Sequence, residues 1–261
     1  PVLATPLPDR KAVARWILLA AVPSGLMLST SLHLTTDIVA MPLLWVLPLG
    51  LYLLSFSVAF ATNRRFADML KLVAPFILLM AACSVFIDST QFPFSFAFLT
   101  LLSLFVASVA LHAEMFARRP HPEHLTRFYL AMSLGGVLGG IFCALIAPLV
   151  FDWTYEYPIL IAATALLIAP RPIFGISERL WASNRTGRAA LWLAVAVFLL
   201  SLASAGGFTS GTSWRLQTAC TIIIIGASLT AFGNRWLFAF CLACLMLGLN
   251  GWTKLALSTQ E

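Results

Sequence analysis

Charge is what this sequence has least of. Sixteen Lys and Arg with ten Asp and Glu make up only 10% of its 261 residues. A soluble domain carries roughly 25% charged residues, because water must wet its surface. The shortage excludes a soluble globular enzyme and, equally, a highly charged unstructured chain. Cysteine is also sparse: Cys83, Cys143, Cys220, Cys241 and Cys244 all lie in apolar runs, where a thiol behaves as a small hydrophobe. That excludes a secreted disulfide scaffold. Cys241-Leu-Ala-Cys244 has the spacing of a redox or metal pair, but no second Cys or His pair accompanies it. No nucleophile–base pair, H-E-x-x-H, phosphate loop, haem attachment or dinucleotide fingerprint occurs, so neither a catalytic site, a metal nor a cofactor is predicted. His121-Pro-Glu123-His124 offers two imidazoles and a carboxylate, but Pro122 breaks the helical register that a metal site on one face needs.

What is abundant is apolar. Hydrophobic residues form 61% of the chain, with 20 Phe and 8 Trp, and the mean hydropathy is +0.94. This composition predicts an all-α, polytopic transmembrane helical bundle. The net charge of +6 does not imply a nucleic-acid partner, because the basic residues sit in short links between apolar runs. The chain starts at Pro1 rather than Met and reads as one transmembrane domain, 1–261, of a longer polypeptide.

A bilayer core about 30 Å thick needs about 20 helical residues. Nine apolar runs meet or approach that length, near 13–31, 38–61, 71–88, 92–115, 127–150, 155–170, 189–206, 215–232 and 236–257. The sixth is short and opens on Tyr155-Glu156-Tyr157-Pro158, which makes it the one run that a re-entrant segment would also fit. Charge placement favours nine crossings. With that count, 14 of the 16 Lys and Arg fall on one face, Arg215 and Lys254 being the exceptions. Asp37, Asp88, Asp152 and Glu156 fall on the other. The positive-inside rule then makes the N-terminus cytoplasmic. The long link 171–188 carries Ile173, Ile176, Leu180 and Trp181 at helical spacing beside Arg171, Arg179 and Arg185. It reads either as an interfacial amphipathic helix over 172–186 or as a solvated Arg-rich loop.

Polar groups at membrane depth cost about 2.5–3.5 kcal/mol when charged, so each is a functional candidate. His33-Leu-Thr-Thr-Asp37 places an imidazole, two hydroxyls and a carboxylate in one tight outer link. His33 and Asp37 suit cation or proton binding; Thr35, Thr36 and Asp37 equally suit capping of the second helix. Asp152-Trp-Thr-Tyr-Glu156-Tyr-Pro158 brings two carboxylates and three aromatics to the same interface. It reads as an aromatic belt or as a vestibule for ammonium groups. His112-Ala-Glu114 lies at the inner end of the fourth run. Two residues apart, these side chains do not share a helix face, and Glu114 is placed to meet Arg118 one turn on. Gly135-Gly136-Val-Leu-Gly139-Gly140 overlaps two small-xxx-small patterns, a close-packing signal. Pro23, Pro42, Pro48, Pro75 and Pro148 fall within runs and can kink them. Asn250 adds a polar group near a run's end.

Two stretches carry a family resemblance. One runs from His33-Leu-Thr-Thr-Asp37 through Met41-Pro42, Trp45 and Pro48 to Tyr52-Leu-Leu-Ser-Phe56. The other comprises His112-Ala-Glu114, Arg118-Arg119-Pro120, His124-Leu-Thr-Arg-Phe-Tyr129, Ser133-Leu-Gly-Gly-Val-Leu-Gly-Gly140, Ala147-Pro148-Leu-Val-Phe-Asp152 and Glu156-Tyr-Pro158. Over about 13–160 the chain resembles the membrane region of bacterial proteins that fuse a transporter-like, major-facilitator-like domain to a spermidine-synthase-like domain. Residues 171–261 resemble it only in hydropathy. The family's usual His-Gly-Glu is His112-Ala-Glu114 here, and Cys143 stands where Asn is usual. The resemblance implies a bacterial cytoplasmic membrane location, further spans before Pro1 and an aminopropyltransferase-like domain after Glu261. That domain's nucleoside pocket and paired acids have no counterpart in this chain, so aminopropyl transfer is not expected of it. A synthase domain would need the cytosol, whereas nine crossings from a cytoplasmic start end outside.

Two functions follow as expectations. One is a transporter-like domain that binds or carries a small cation such as a polyamine, with His33, Asp37, Asp152 and Glu156 as its binding groups. The other is a structural or accessory subunit, its glycine-rich fifth run packing against partner membrane helices in a larger complex.

Overall fold

In the computed structural model the described residues are 8–38, 45–85, 92–152, 154–168, 186–210 and 214–251. They are helical throughout, with no strand among them. In chain order the helices are α1 (Arg10–His33), α2 (Val46–Ala59), α3 (Arg65–Ser84), α4 (Pro93–Ala117), α5 (Leu125–Ile141), α6 (Ala147–Val150), α7 (Glu156–Leu167), α8 (Thr186–Ser210), α9 (Trp214–Thr230) and α10 (Arg235–Met246). Wide π turns extend α1 over Leu34–Ile38, join α5 to α6 over Phe142–Ile146, and extend α10 over Leu247–Gly251. The second precedes Pro148, which lacks an N–H and crowds the carbonyl four residues back.

Five of these helical stretches are long and apolar enough to cross a membrane: Arg10–Thr36, Arg65–Ser84, Pro93–Ala117, Pro122–Val150 and Gly187–Ser204. Shorter apolar helices cover Val46–Ala59, Glu156–Leu167, Thr218–Thr230 and Arg235–Leu249. Each overlaps one of the apolar runs. Helix α3 begins at Arg65 rather than near 71. Its first turns are amphipathic: Ala67, Leu70 and Ala74 are buried while Arg65 and Asp68 are exposed. A count of consecutive apolar residues misses such turns. The helix of the sixth run, α7, has only 12 residues, about 18 Å of rise against a core of about 30 Å. The interfacial helix expected over 172–186 and Pro42 lie outside the described residues, as do the side chains of Asp37 and Asn250.

The chain forms two compact units, Pro1–Ala74 with Pro93–Leu160 and Pro75–Phe92 with Ile161–Glu261, so the cuts fall inside α3 and α7. In the first unit α1 is the central helix and packs on α5, α4 and α2. Leu19, Leu26, Leu104 and Leu111 are fully buried there. The α1–α5 contact is close because two glycines permit it. A Cβ on Gly135 would strike the Ile17 carbonyl oxygen, and one on Gly139 the Ala21 carbonyl oxygen. Gly136 and Gly140 point elsewhere: a Cβ on Gly136 meets nothing within 4 Å, and one on Gly140 only Leu28 at 3.9 Å. Polar groups stitch the same seam. Ser24 Oγ donates to the Gly136 carbonyl at 3.0 Å, and Cys143 Sγ to that of Gly25 at 3.3 Å.

In the second unit serines take the place of glycines. Ser201 Oγ, on α8, donates to the Cys244 carbonyl at 2.9 Å, and Ser204 Oγ to that of Gly248 at 3.2 Å. Cys241 and Cys244 are free thiols buried in α10. Gly233, at φ 108°, makes the turn between α9 and α10, and Asn234 Oδ1 then caps α10 by accepting from Leu237 N at 3.3 Å.

Outward faces are apolar in both units. On α5, Leu130, Leu134, Val137 and Ile141 form an exposed stripe, and on α8 Leu191, Val195, Phe198 and Leu202 form another. Both follow helical spacing. In water, contiguous faces of this kind would be an aggregation liability.

Candidate functional site

The C-terminal end of α1 and the hinge between α6 and α7 enclose a cavity of about 370 Å³. Small-molecule sites generally fall between about 300 and 1,000 Å³. Leu32 and Thr36 line it from α1, Ala147 and Pro148 from α6, and Phe151, Asp152, Thr154 and Glu156 from the hinge and the start of α7. The lining contains two carboxylates and neither Lys nor Arg. Asp152 is exposed, whereas Glu156 is almost fully buried in the first turn of α7, where the helix N-terminus favours negative charge. Pro158 sits in that same turn, where a missing N–H removes no helical bond.

The wall behind the cavity is ordered by a chain of contacts. The Tyr157 ring stacks on His33 with centroids 4.6 Å apart and planes 15° from parallel. Its hydroxyl lies 3.1 Å from Ser103 Oγ. Ser103 already gives its proton to the Thr100 carbonyl at 2.8 Å, so Tyr157 is the donor in that pair. His33, Ser103 and Tyr157 are all buried. Thr35 and Thr36 cap backwards: Thr35 Oγ1 donates to the Ser31 carbonyl at 2.9 Å and Thr36 Oγ1 to that of Leu32 at 2.8 Å. They therefore close α1 instead of capping α2, because a threonine hydroxyl in a helical turn reaches the carbonyl four residues back.

Of the residues singled out in the sequence, Asp152 and Glu156 thus share one cavity, and His33, outside its lining, stacks on Tyr157 next to Glu156. The backbone of Asp37 lies within the π turn after α1. At the other end of α1 lies a different arrangement. Glu114 pairs through Oε1 with Arg118, one turn on, and through Oε2 with Lys71 of α3. Trp16 Nε1 donates to the Arg118 carbonyl at 3.0 Å and ties α1 to this corner.

His112 faces another way, as its two-residue offset from Glu114 requires. Its ring stacks on Phe56 at 3.7 Å, and Nδ1 lies 2.9 Å from Ser55 Oγ. Ser55 directs its proton to the Tyr52 carbonyl at 2.6 Å, so Nδ1–H is the donor to Ser55 and Nε2 holds the lone pair. That nitrogen is buried with no partner among the described residues. Sequence inspection alone did not reveal Lys71, Ser55 or Ser103 as partners. A signal was present in α4, where Thr100, Ser103, Ser108 and His112 are all buried although small hydroxyls look neutral in a hydropathy count.

Among the described residues no group of three His, Cys, Asp or Glu could hold a metal ion. No family model, curated protein or solved structure matches the chain. Function is therefore argued from the chemistry of the site.

Proposed function

We propose that this chain is an integral membrane domain of nine spans with a cytoplasmic N-terminus, set in a bacterial cytoplasmic membrane, and that its outer cavity binds a small organic cation such as a polyamine. The resemblance to transporter-like membrane regions fused to spermidine-synthase-like domains agrees with this reading. The observation that carries it is the pairing of Asp152 and Glu156 in one cavity of about 370 Å³ whose lining has no cationic side chain. Two carboxylates give an ammonium charge-assisted hydrogen bonds. Thr36 and Thr154 add hydroxyl acceptors, and Leu32 and Phe151 flank the methylene segments of an amine. Support for the membrane setting comes from the exposed apolar stripes of α5 and α8 and from the sorting of cations and acids to opposite sides.

Reconstitution tests the proposal. Sealed proteoliposomes containing the protein take up labelled spermidine, and Asp152→Asn with Glu156→Gln lowers that uptake at least tenfold. Wild-type vesicles that neither bind nor take up any amine would remove the transport reading.

The second reading, an accessory subunit, has one observation in its favour. Gly136 and Gly140 form a small-residue stripe with open space beside it, where another helix fits. Stable co-purification within a larger membrane complex, without any amine response, is its expected result.

A further inference from the structure

The corner around Glu114 holds more positive charge than its ion pairs use. Lys71 and Arg118 share the single carboxylate of Glu114. Arg64 and Arg119 add two guanidinium groups that meet no carboxylate among the described residues. Both lie against one aromatic ring: the Arg64 guanidinium is 4.7 Å from the Phe116 centroid and that of Arg119 is 4.3 Å from it. The sum of these distances, about 9 Å, is the furthest apart the two guanidinium carbons can be. That limit is reached only with the ring between them; at any closer placement beside the ring one phosphodiester can take charge-assisted hydrogen bonds of about 2.8 Å from both. Arg64 spends one N–H on the Ala113 carbonyl at 3.4 Å, which leaves the rest of its fork for an anion. The nearest further acids in sequence, Asp68 and Glu123, each four residues from one of these arginines, are exposed.

An anion site of this kind would suit many partners, but its setting narrows the choice. Immediately beyond Arg64, the first turns of α3 present Phe66, Met69 and Val73 outward at helical spacing. A cationic fork at the end of an apolar helix, with an exposed apolar stripe running away from it, matches an amphiphile. Its phosphate belongs on the fork and its acyl chain on the stripe.

We infer that Arg64 and Arg119, braced on Phe116, form a binding site for the phosphodiester of an anionic phospholipid. The inference rests on the membrane reading but not on amine transport. Basic pockets between membrane helices at the inner face commonly hold such headgroups. Here Glu114 fixes Arg118 and Lys71, so the corner keeps its shape, while the two remaining arginines supply the contact. A bound lipid would clamp the end of α4 to the start of α3.

The test uses the full chain, purified and delipidated in mild detergent. Resistance of the protein to carbonate extraction first checks membrane integration separately. Thermal unfolding is then followed with added phosphatidylglycerol, phosphatidylcholine or inorganic phosphate, and retained lipid is counted by native mass spectrometry. Phosphatidylglycerol should raise Tm by several degrees more than phosphatidylcholine at equal mole fraction, with one or two molecules retained. Arg64→Gln combined with Arg119→Gln should abolish the difference and the retained lipid. Arg235→Gln, a cation of the other unit, should leave both unchanged. Should the double variant fold poorly, screening the wild type with salt must remove the same Tm difference. Equal shifts with both lipids, an unaltered response of the double variant, or a full shift with inorganic phosphate alone would each overturn the lipid assignment.

Discussion

The two ends of α1 meet carboxylates in opposite ways. At its N-terminal end Glu114 is held by Lys71 and Arg118, one cation on each oxygen. At its C-terminal end Asp152 and Glu156 line an open volume with no Lys or Arg among its described lining residues. A carboxylate saturated by protein cations fixes helices to one another and has little left to offer a ligand. The comparison separates an acid held between two protein cations from acids that line a cavity.

The strongest way to break this comparison is to remove the frame that spaces the two ends. Gly139→Val drives a side chain into the Ala21 carbonyl, which only a backbone shift of α1 or α5 can relieve. The expected loss is about 3 kcal/mol or more, read as a collapse in Tm and in folded yield, with both ends affected together. Glu114→Gln leaves Lys71 and Arg118 facing each other without an anion. Their side chains are 27% and 34% exposed, so solvent screens part of the cost, which should be about 2 kcal/mol by thermal unfolding. Amine affinity should stay within about twofold. Asp152→Asn or Glu156→Gln should weaken amine binding about tenfold or more, about 1.4 kcal/mol. Ser55→Ala takes the acceptor from His112 Nδ1 near the C-terminal end of α4 and should cost about 1 kcal/mol of stability, again without changing amine affinity. Gly136→Ala meets open space and should shift stability by less than about 0.5 kcal/mol, which isolates the effect at Gly139 to its contact.

Helix placement was legible because it depends on composition over long windows. The runs at 13–31 and 92–115 reappear as α1 and α4, each of 24 residues or more. The start of α3 was not legible, since its charges at Arg65, Asp68 and Lys71 interrupt the run while the buried face of Ala67, Leu70 and Ala74 continues the helix. The glycine pattern pointed to close packing, but nothing in one dimension tells which of the two stripes faces α1. That choice is set by the rotation of α5 about its axis. Asp152 and Glu156 were within reach of one another by sequence distance alone. Their cavity needed the end of α1, more than 100 residues earlier, and the partners Lys71 and Ser55 lie 43 and 57 residues from Glu114 and His112. Side chains so far apart in the chain carry no local pattern that announces their meeting.

The central claim, that the outer acids form a cation site, is tested most directly by calorimetric titration of spermidine into the purified protein. Saturable binding by the wild type, weakened at least tenfold in Glu156→Gln and unchanged in Glu114→Gln, is the predicted result. Equal affinity in wild type and Glu156→Gln, or a greater loss in Glu114→Gln, would contradict it.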